Sequence, residues 1–157
     1  MANRPRSVAH AIPDASLVAK WHTPAEAGWE QAQAFLSALI AGSLRLTAPD
    51  HLKVEVVRVL QMGVRDKRYS ADEGIERVQA FRGLPITYVA NDLLLEGAFR
   101  LASRFQMALY DALYVALADA VDAPFLTADR RLFNLSRQRG IARVSWFEDF
   151  SVPSMAE

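Results

Sequence analysis

Apolar positions recur at two different periods along the chain. Between Trp29 and Ile40 they fall at Trp29, Ala32, Leu36, Leu39 and Ile40, one face of an amphipathic helix. Thr23-Pro24-Ala25-Glu26 reads as the capping box that opens it, with proline at the first helical position, and Gly42 as its end. A shorter helical stretch, Ala15 to Trp21, precedes it. Pro49 starts a helix to about Val64, the box Ser70-Ala71-Asp72-Glu73 opens another to Phe81, and Asn91 caps one to Ser103. Two more cover about Ala108 to Val121 and the segment from Asp129 to about Gln138. Between the helices lie short β-rich runs: Val8 to Ile12, Leu44 to Ala48, Ile86 to Val89, Pro124 to Thr127 and Ala142 to Trp146. Strands separated by helices require crossovers, hence a mostly parallel sheet. The expected fold is α/β, a three-layer α/β/α sandwich.

Length and composition narrow the picture. A chain of 157 residues suits one domain, with a core over 8–147, a loose leader from Met1 to Ser7 and a polar tail from Ser151 to Glu157. With 52% hydrophobic and 23% charged residues, it is not intrinsically disordered. The absence of cysteine excludes disulfides, thiolate zinc sites and a cysteine nucleophile. Eighteen basic residues balance eighteen acidic ones, so any polyanion must be met by a segregated patch rather than by bulk charge. Prolines and charges interrupt the basic start, and no run approaches the ~18 apolar residues of a membrane span. A cytoplasmic protein with no membrane contact is expected.

Charges in apolar company are the chemical signal. The segment Ala108 to Val121 is apolar except at Asp111 and Asp119, counting its tyrosines as apolar. Asp111 is either a first-turn residue favoured by the helix dipole or a functional carboxylate. Glu55, read as mid-helix, shares a face with Leu52, Val59 and Met62, and its ordinary partner would be Arg58 one turn on. Asp14 and Asp129 follow strands, at the carboxyl edge where open parallel sheets bind ligands, although each also caps a helix. If all four carboxylates meet at that edge, they repel one another without a cation. An all-oxygen donor set suits Mg2+ or Mn2+ rather than zinc. Such ions orient water and stabilise the oxygens of an in-line phosphoryl displacement. His10, His22 and His51 share no spacing and read as ordinary surface or core residues. Arg130 and Arg131, next to Asp129, are the basic residues best placed to hold a polyanion. Glycine-rich phosphate loops, nucleophile elbows and paired-histidine metal helices are all missing.

These residues carry a family resemblance. Ile12-Pro13-Asp14-Ala15-Ser16, Lys20-Trp21, Ala48-Pro49 and Leu52-Lys53-Val54-Glu55 resemble the opening half of a PIN domain. The runs from Tyr110 to Ala118 and from Leu126 to Leu132 resemble its closing half. Within that family the chain is most similar to VapC-type toxins of toxin–antitoxin pairs. The resemblance implies a metal-dependent endoribonuclease with Asp14, Glu55, Asp111 and Asp129 as its acidic quartet. Ser16 and Thr127 match the hydroxyls that accompany the first and last acids. It further implies a homodimer silenced by a cognate antitoxin. The rival expectation is a PIN-like module that docks an antitoxin or RNA without turnover, and a weaker one is a metal-dependent phosphatase.

Overall fold

A computed structural model describes residues 8–153. Five strands, β1 (Ala9–Pro13), β2 (Leu44–Pro49), β3 (Thr87–Val89), β4 (Phe125–Thr127) and β5 (Val144–Trp146), form one sheet in the order β3-β2-β1-β4-β5. Every pairing is parallel. Seven α-helices cover the two faces: α1 (Ala15–Ala19), α2 (Trp29–Ile40), α3 (Leu52–Arg65), α4 (Ala71–Arg82), α5 (Leu95–Phe105), α6 (Leu109–Val121) and α7 (Arg130–Gln138). The result is the expected three-layer α/β/α sandwich. Covered on both faces, the inner strands are nearly continuous apolar runs: β4 is buried throughout and β2 everywhere but Arg45. α6 packs across β1, β2 and β4, and its residues Ala112 to Ala118 are all buried. The Tyr114 ring stacks on Phe125 of β4 with centroids 5.0 Å apart. The leader and the last residues of the tail lie outside the described residues. Among the described residues no helix is long and apolar enough to cross a membrane.

Three local readings need correction. The Thr23-to-Glu26 box does not cap α2. The Thr23 hydroxyl turns back to the carbonyls of Ala19 and Lys20, and Glu26 pairs with Lys20 at 3.5 Å. The helix starts only after Gly28, whose φ of +80° suits glycine and whose absent Cβ would meet Phe147 at 2.6 Å. The buried stripe of α2 is Ala32, Phe35, Ala38 and Leu39, and Ile40 faces solvent. Asn91 caps nothing: a 3₁₀ turn from Asn91 to Leu94 intervenes before α5, and the Asn91 side chain is engaged by His51. Pro49 closes β2 instead of starting α3, because it pairs with Val89 and the next N–H bonds the Val89 carbonyl. Glu55 therefore sits in the first turn of α3, not mid-helix.

The Ser70 box does form, with Glu73 N–H donating to the Ser70 hydroxyl and Ser70 N–H to the Glu73 carboxylate. α3 and α4 then meet closely around Gly63, where a Cβ would fall 2.1 Å from the Tyr69 hydroxyl. That hydroxyl donates to the Leu60 carbonyl at 2.7 Å, so the space is already taken.

From β1 the chain winds outward through β2 to β3, then returns across the sheet to β4 and β5. β1 and β4 are thus neighbours whose connections leave in opposite directions. Open parallel sheets form a crevice at the carboxyl ends of such a pair.

Candidate active site

Asp14 follows β1 and Asp129 follows β4, so the switch point brings them together. Asp14 caps α1, its Oδ1 accepting from Leu17 N–H at 3.0 Å and from the Ser16 hydroxyl at 2.6 Å. Its Oδ2 accepts from the Thr127 hydroxyl. Thr127 is fully buried at the end of β4 and takes the Asp129 N–H at 2.9 Å. The Ser16 hydroxyl takes the Ala128 N–H, also at 2.9 Å. One continuous network thus ties the two strand ends, with Ser16 and Thr127 as its joints. Asp129 caps α7 through Oδ1, which accepts from the N–H groups of Arg131 and Leu132 at 2.9 and 3.3 Å.

Asp111 and Glu55 approach from α6 and α3. Asp111 is half-buried in the first turn of α6 and has no side-chain hydrogen bond among the described residues. Glu55 accepts from the Tyr114 hydroxyl and stands 3.8 Å from His51 Nε2, and among the described residues it makes no pair with Arg58. Burial raises the Asp14 carboxyl from 3.8 to about 6, against its hydrogen bonds and with help from Asp129. Burial and the charges of Glu55 and Asp129 raise Asp111 to about 6 as well. The Tyr114 hydroxyl is pushed far up by burial and by Glu55, so it remains a donor. Asp129 bears on both Asp14 and Asp111, and Glu55 on Asp111.

Among the described residues no three of these groups stand close enough to enclose an ion as they are. The donor set itself is oxygen-only, and two of its carboxyls hold protons at unusually high pH, chiefly because they are buried and secondarily because other carboxylates stand nearby. That is the chemistry a hard divalent cation relieves, so the residues present fit such an ion.

Asp111 and Asp129 open onto a cleft of about 860 Å³ whose wall includes Met107, Arg130, Arg131 and Arg139. The Arg130 guanidinium lies over the Trp146 ring, 3.6 Å from its centroid. Arg139 instead donates to the carbonyls of Phe105 and Gln106, tying α7 to the end of α5. Three side chains at the site escaped the sequence reading: His51, Tyr114 and Asn91. The sequence marks Tyr114 only as apolar and Asn91 only as a cap.

A PIN domain family model matches residues 11–138. The chain is 34% identical to ribonuclease VapC12 of Mycobacterium tuberculosis over 98 residues, which cover 60% of this chain and 74% of that protein. The crystal structure of M. tuberculosis VapC20, described as a sarcin-ricin loop cleaving toxin, superposes with a TM-score of 0.59 at 15% identity, covering 82% of this chain and 94% of that one. A toxin–antitoxin complex from Klebsiella pneumoniae superposes with a TM-score of 0.56 at 15% identity, covering 87% and 97%. The family match runs from β1 through α7 and takes in both acidic strand ends: the chain belongs to the PIN domain family.

Proposed function

We propose that the chain is a metal-dependent endoribonuclease of the cytoplasm and the toxin of a toxin–antitoxin pair. The observation that carries this reading is the hydrogen-bonded pair of strand ends, Asp14 and Asp129, with Asp111 and Glu55 turned toward them from two helices. The ribonuclease and toxin relatives support it. Asp14, Glu55, Asp111 and Asp129 would hold one or two Mg2+ or Mn2+ ions, directly or through water. When bound, such an ion supplies Lewis-acid stabilisation to the phosphoryl oxygens and helps orient water for in-line attack.

The chain's own groups set the stage for hydrolysis. Ser16 and Thr127 occupy both oxygens of Asp14, which fixes the carboxylate plane. Tyr114 does the same for one oxygen of Glu55. Asp129 spends Oδ1 on α7 and keeps Oδ2 for the site. Arg131 on the cleft wall meets backbone phosphate, and Arg130, held over the Trp146 ring, presents charge without a flexible arm.

An RNA pool incubated with Mg2+ or Mn2+ should be shortened by the wild type, and at least about 100-fold more slowly by Asp111→Asn. Expression of the wild type without an antitoxin should arrest bacterial growth, and the variant should not. Equal cleavage by both proteins would overturn the assignment. A folded wild type that binds metal and cleaves no RNA would point to the docking module, and phosphate release from small esters alone to a phosphatase.

The same reading includes a homodimer. Leu95, Phe99 and Leu109 form an exposed apolar face where α5 meets the start of α6, Phe99 being 69% exposed. An unpartnered face of this kind favours self-association. Sedimentation should show a dimer for the wild type and a monomer for Phe99→Glu. A wild type monomeric at tens of micromolar would sink the dimer.

A further inference from the structure

His51 is an ionisable side chain at the site that the mechanism leaves idle. It sits at the start of α3 with its side chain only 7% exposed. Its Nδ1 lies 3.0 Å from Asn91 Oδ1. An amide oxygen only accepts, so Nδ1 carries the proton. In the neutral ring Nε2 then bears a lone pair, and this atom is buried without any hydrogen-bond partner. It points at another lone-pair carrier, Glu55 Oε2, across 3.8 Å, beyond hydrogen-bond reach. The ring cannot turn away, because Tyr114 packs on it edge-on at 4.8 Å and Tyr110 lies at 5.3 Å. Asp111 is the other charge that faces it. A buried lone pair aimed at a carboxylate is stable when a cation stands between them.

We propose that His51 Nε2 is a nitrogen donor to a divalent cation shared with Glu55, and that Asn91 fixes the tautomer that makes it one. The proposal rests on the nuclease reading above and adds a ligand to its carboxylates. Two donors each about 2.1 Å from one ion stand roughly 3 Å apart when adjacent and about 4.2 Å when opposite, so from the observed 3.8 Å a shift of the part-exposed Glu55 carboxylate by about 0.4 Å reaches the opposite arrangement. Metal-bound histidines characteristically donate their other ring N–H to a neighbour that sets the tautomer, the part Asn91 plays here. The spacing also places both donors on one face of the helix start, one turn apart. An imidazole nitrogen in an otherwise oxygen site shifts preference from Mg2+ toward Mn2+.

Electron spin echo spectroscopy of the Mn2+-loaded full chain tests this directly. The wild type should show imidazole nitrogen coupled to manganese, and the pattern should change when the chain is grown on histidine labelled with heavy nitrogen. The coupling should vanish in His51→Gln and persist in His10→Gln, since His10 Nε2 is already engaged by the Thr47 hydroxyl at 2.8 Å. By calorimetry, His51→Gln should bind Mn2+ about tenfold more weakly and lose less affinity for Mg2+. Bound manganese with no imidazole coupling in the labelled wild type would overturn the proposal, a result that needs no variant to fold. Coupling that survives in His51→Gln would overturn it too. RNA cleavage by the same wild-type preparation separates the two failures. Cleavage with Mn2+ but no imidazole coupling defeats the histidine ligand alone, whereas neither Mn2+ binding nor cleavage defeats the nuclease reading with it.

Discussion

Asp14→Asn should abolish RNA cleavage, by about 1,000-fold or more, and at the same time make the metal-free protein more stable at neutral pH. The Asp14 carboxyl is raised from 3.8 to about 6, chiefly by burial, so the folded chain keeps this proton to higher pH than the unfolded chain does. Stability from this group is therefore complete below about pH 4, declines as pH climbs from about 4 to 6, and stays at its lower value above. Two pH units at about 1.4 kcal/mol each make the ionised carboxylate a liability of roughly 3 kcal/mol at pH 7. Asparagine has the same shape and never ionises. It also caps α1 as aspartate does. With its oxygen kept for the cap, its amide nitrogen stands where Oδ2 was and cannot accept from the Thr127 hydroxyl, which must reorient, and losing that bond returns about 1 kcal/mol. The net expectation is a gain of about 1–2 kcal/mol at pH 7.5 in chelator and none at pH 4.5, read by urea denaturation at both values. Asp111, raised to about 6 by burial and the charges of Glu55 and Asp129, steepens the wild type's decline over the same window. Adding Mn2+ should stabilise the wild type more than the variant, because ligand binding to the folded state alone raises stability by mass action. If Asp14→Asn proves equally destabilised at both pH values, the residue is a helix cap whose burial costs nothing, and its place at a metal site is lost.

That coupling of stability and chemistry explains which parts of the molecule could be read from the sequence. Asp14 and Asp129 were legible because their position depends only on strand order. Once a sheet is parallel, every strand's carboxyl end falls on one edge, and a carboxylate there is exposed to the switch-point crevice. Ser16 and Thr127 were legible only through the family resemblance, because the bonds they make join residues more than a hundred positions apart. The Ser70 box was legible for a related reason: its two partners are three residues apart on an exposed turn, and nothing distant competes for them. Thr23 and Glu26 have the same spacing but a competitor, since Lys20 draws Glu26 away and binds the Ala27 carbonyl at 2.9 Å. Asn91 failed as a cap through a similar competition, with His51 forty residues earlier in the chain taking its amide. No local pattern encodes such a partner. Tyr114 and Glu55 are 59 residues apart, and only the packing of α6 against the sheet brings the hydroxyl to the carboxylate. One local clue did exist: His51 and Glu55 are separated by a single helical turn, which puts both on one face of the start of α3. Arg130 was found by its neighbourhood to Asp129, but its role on the cleft wall depends on Trp146 at the far end of β5.

Asp129 is where capping and chemistry compete most directly, and two substitutions separate them. Oδ1 serves α7 by accepting from Arg131 and Leu132, whereas Oδ2 accepts from no protein group among the described residues. Asn ranks with Asp as an N-cap and supplies the same accepting oxygen, but it carries no charge. Ala supplies neither. Asp129→Asn should therefore leave the unfolding midpoint in urea nearly unmoved, within about 0.5 kcal/mol, while RNA cleavage falls by about 100-fold or more. Asp129→Ala should lose cleavage to the same extent and about 1 kcal/mol of stability in addition, the ordinary cost of removing a cap. The contrast lies in the second axis: equal catalytic loss with unequal stability means that the charge, not the cap, is what the reaction uses. If Asp129→Asn retains wild-type cleavage and only Asp129→Ala is impaired, then α7 positions the cleft through its cap alone. The quartet would shrink to Asp14, Glu55 and Asp111, and the negative charge that raises Asp111 would lose half its purpose. The helix geometry favours the charge reading, because an N-cap needs only one oxygen and the other accepts from no protein group among the described residues, in a cleft that Asp111 also lines.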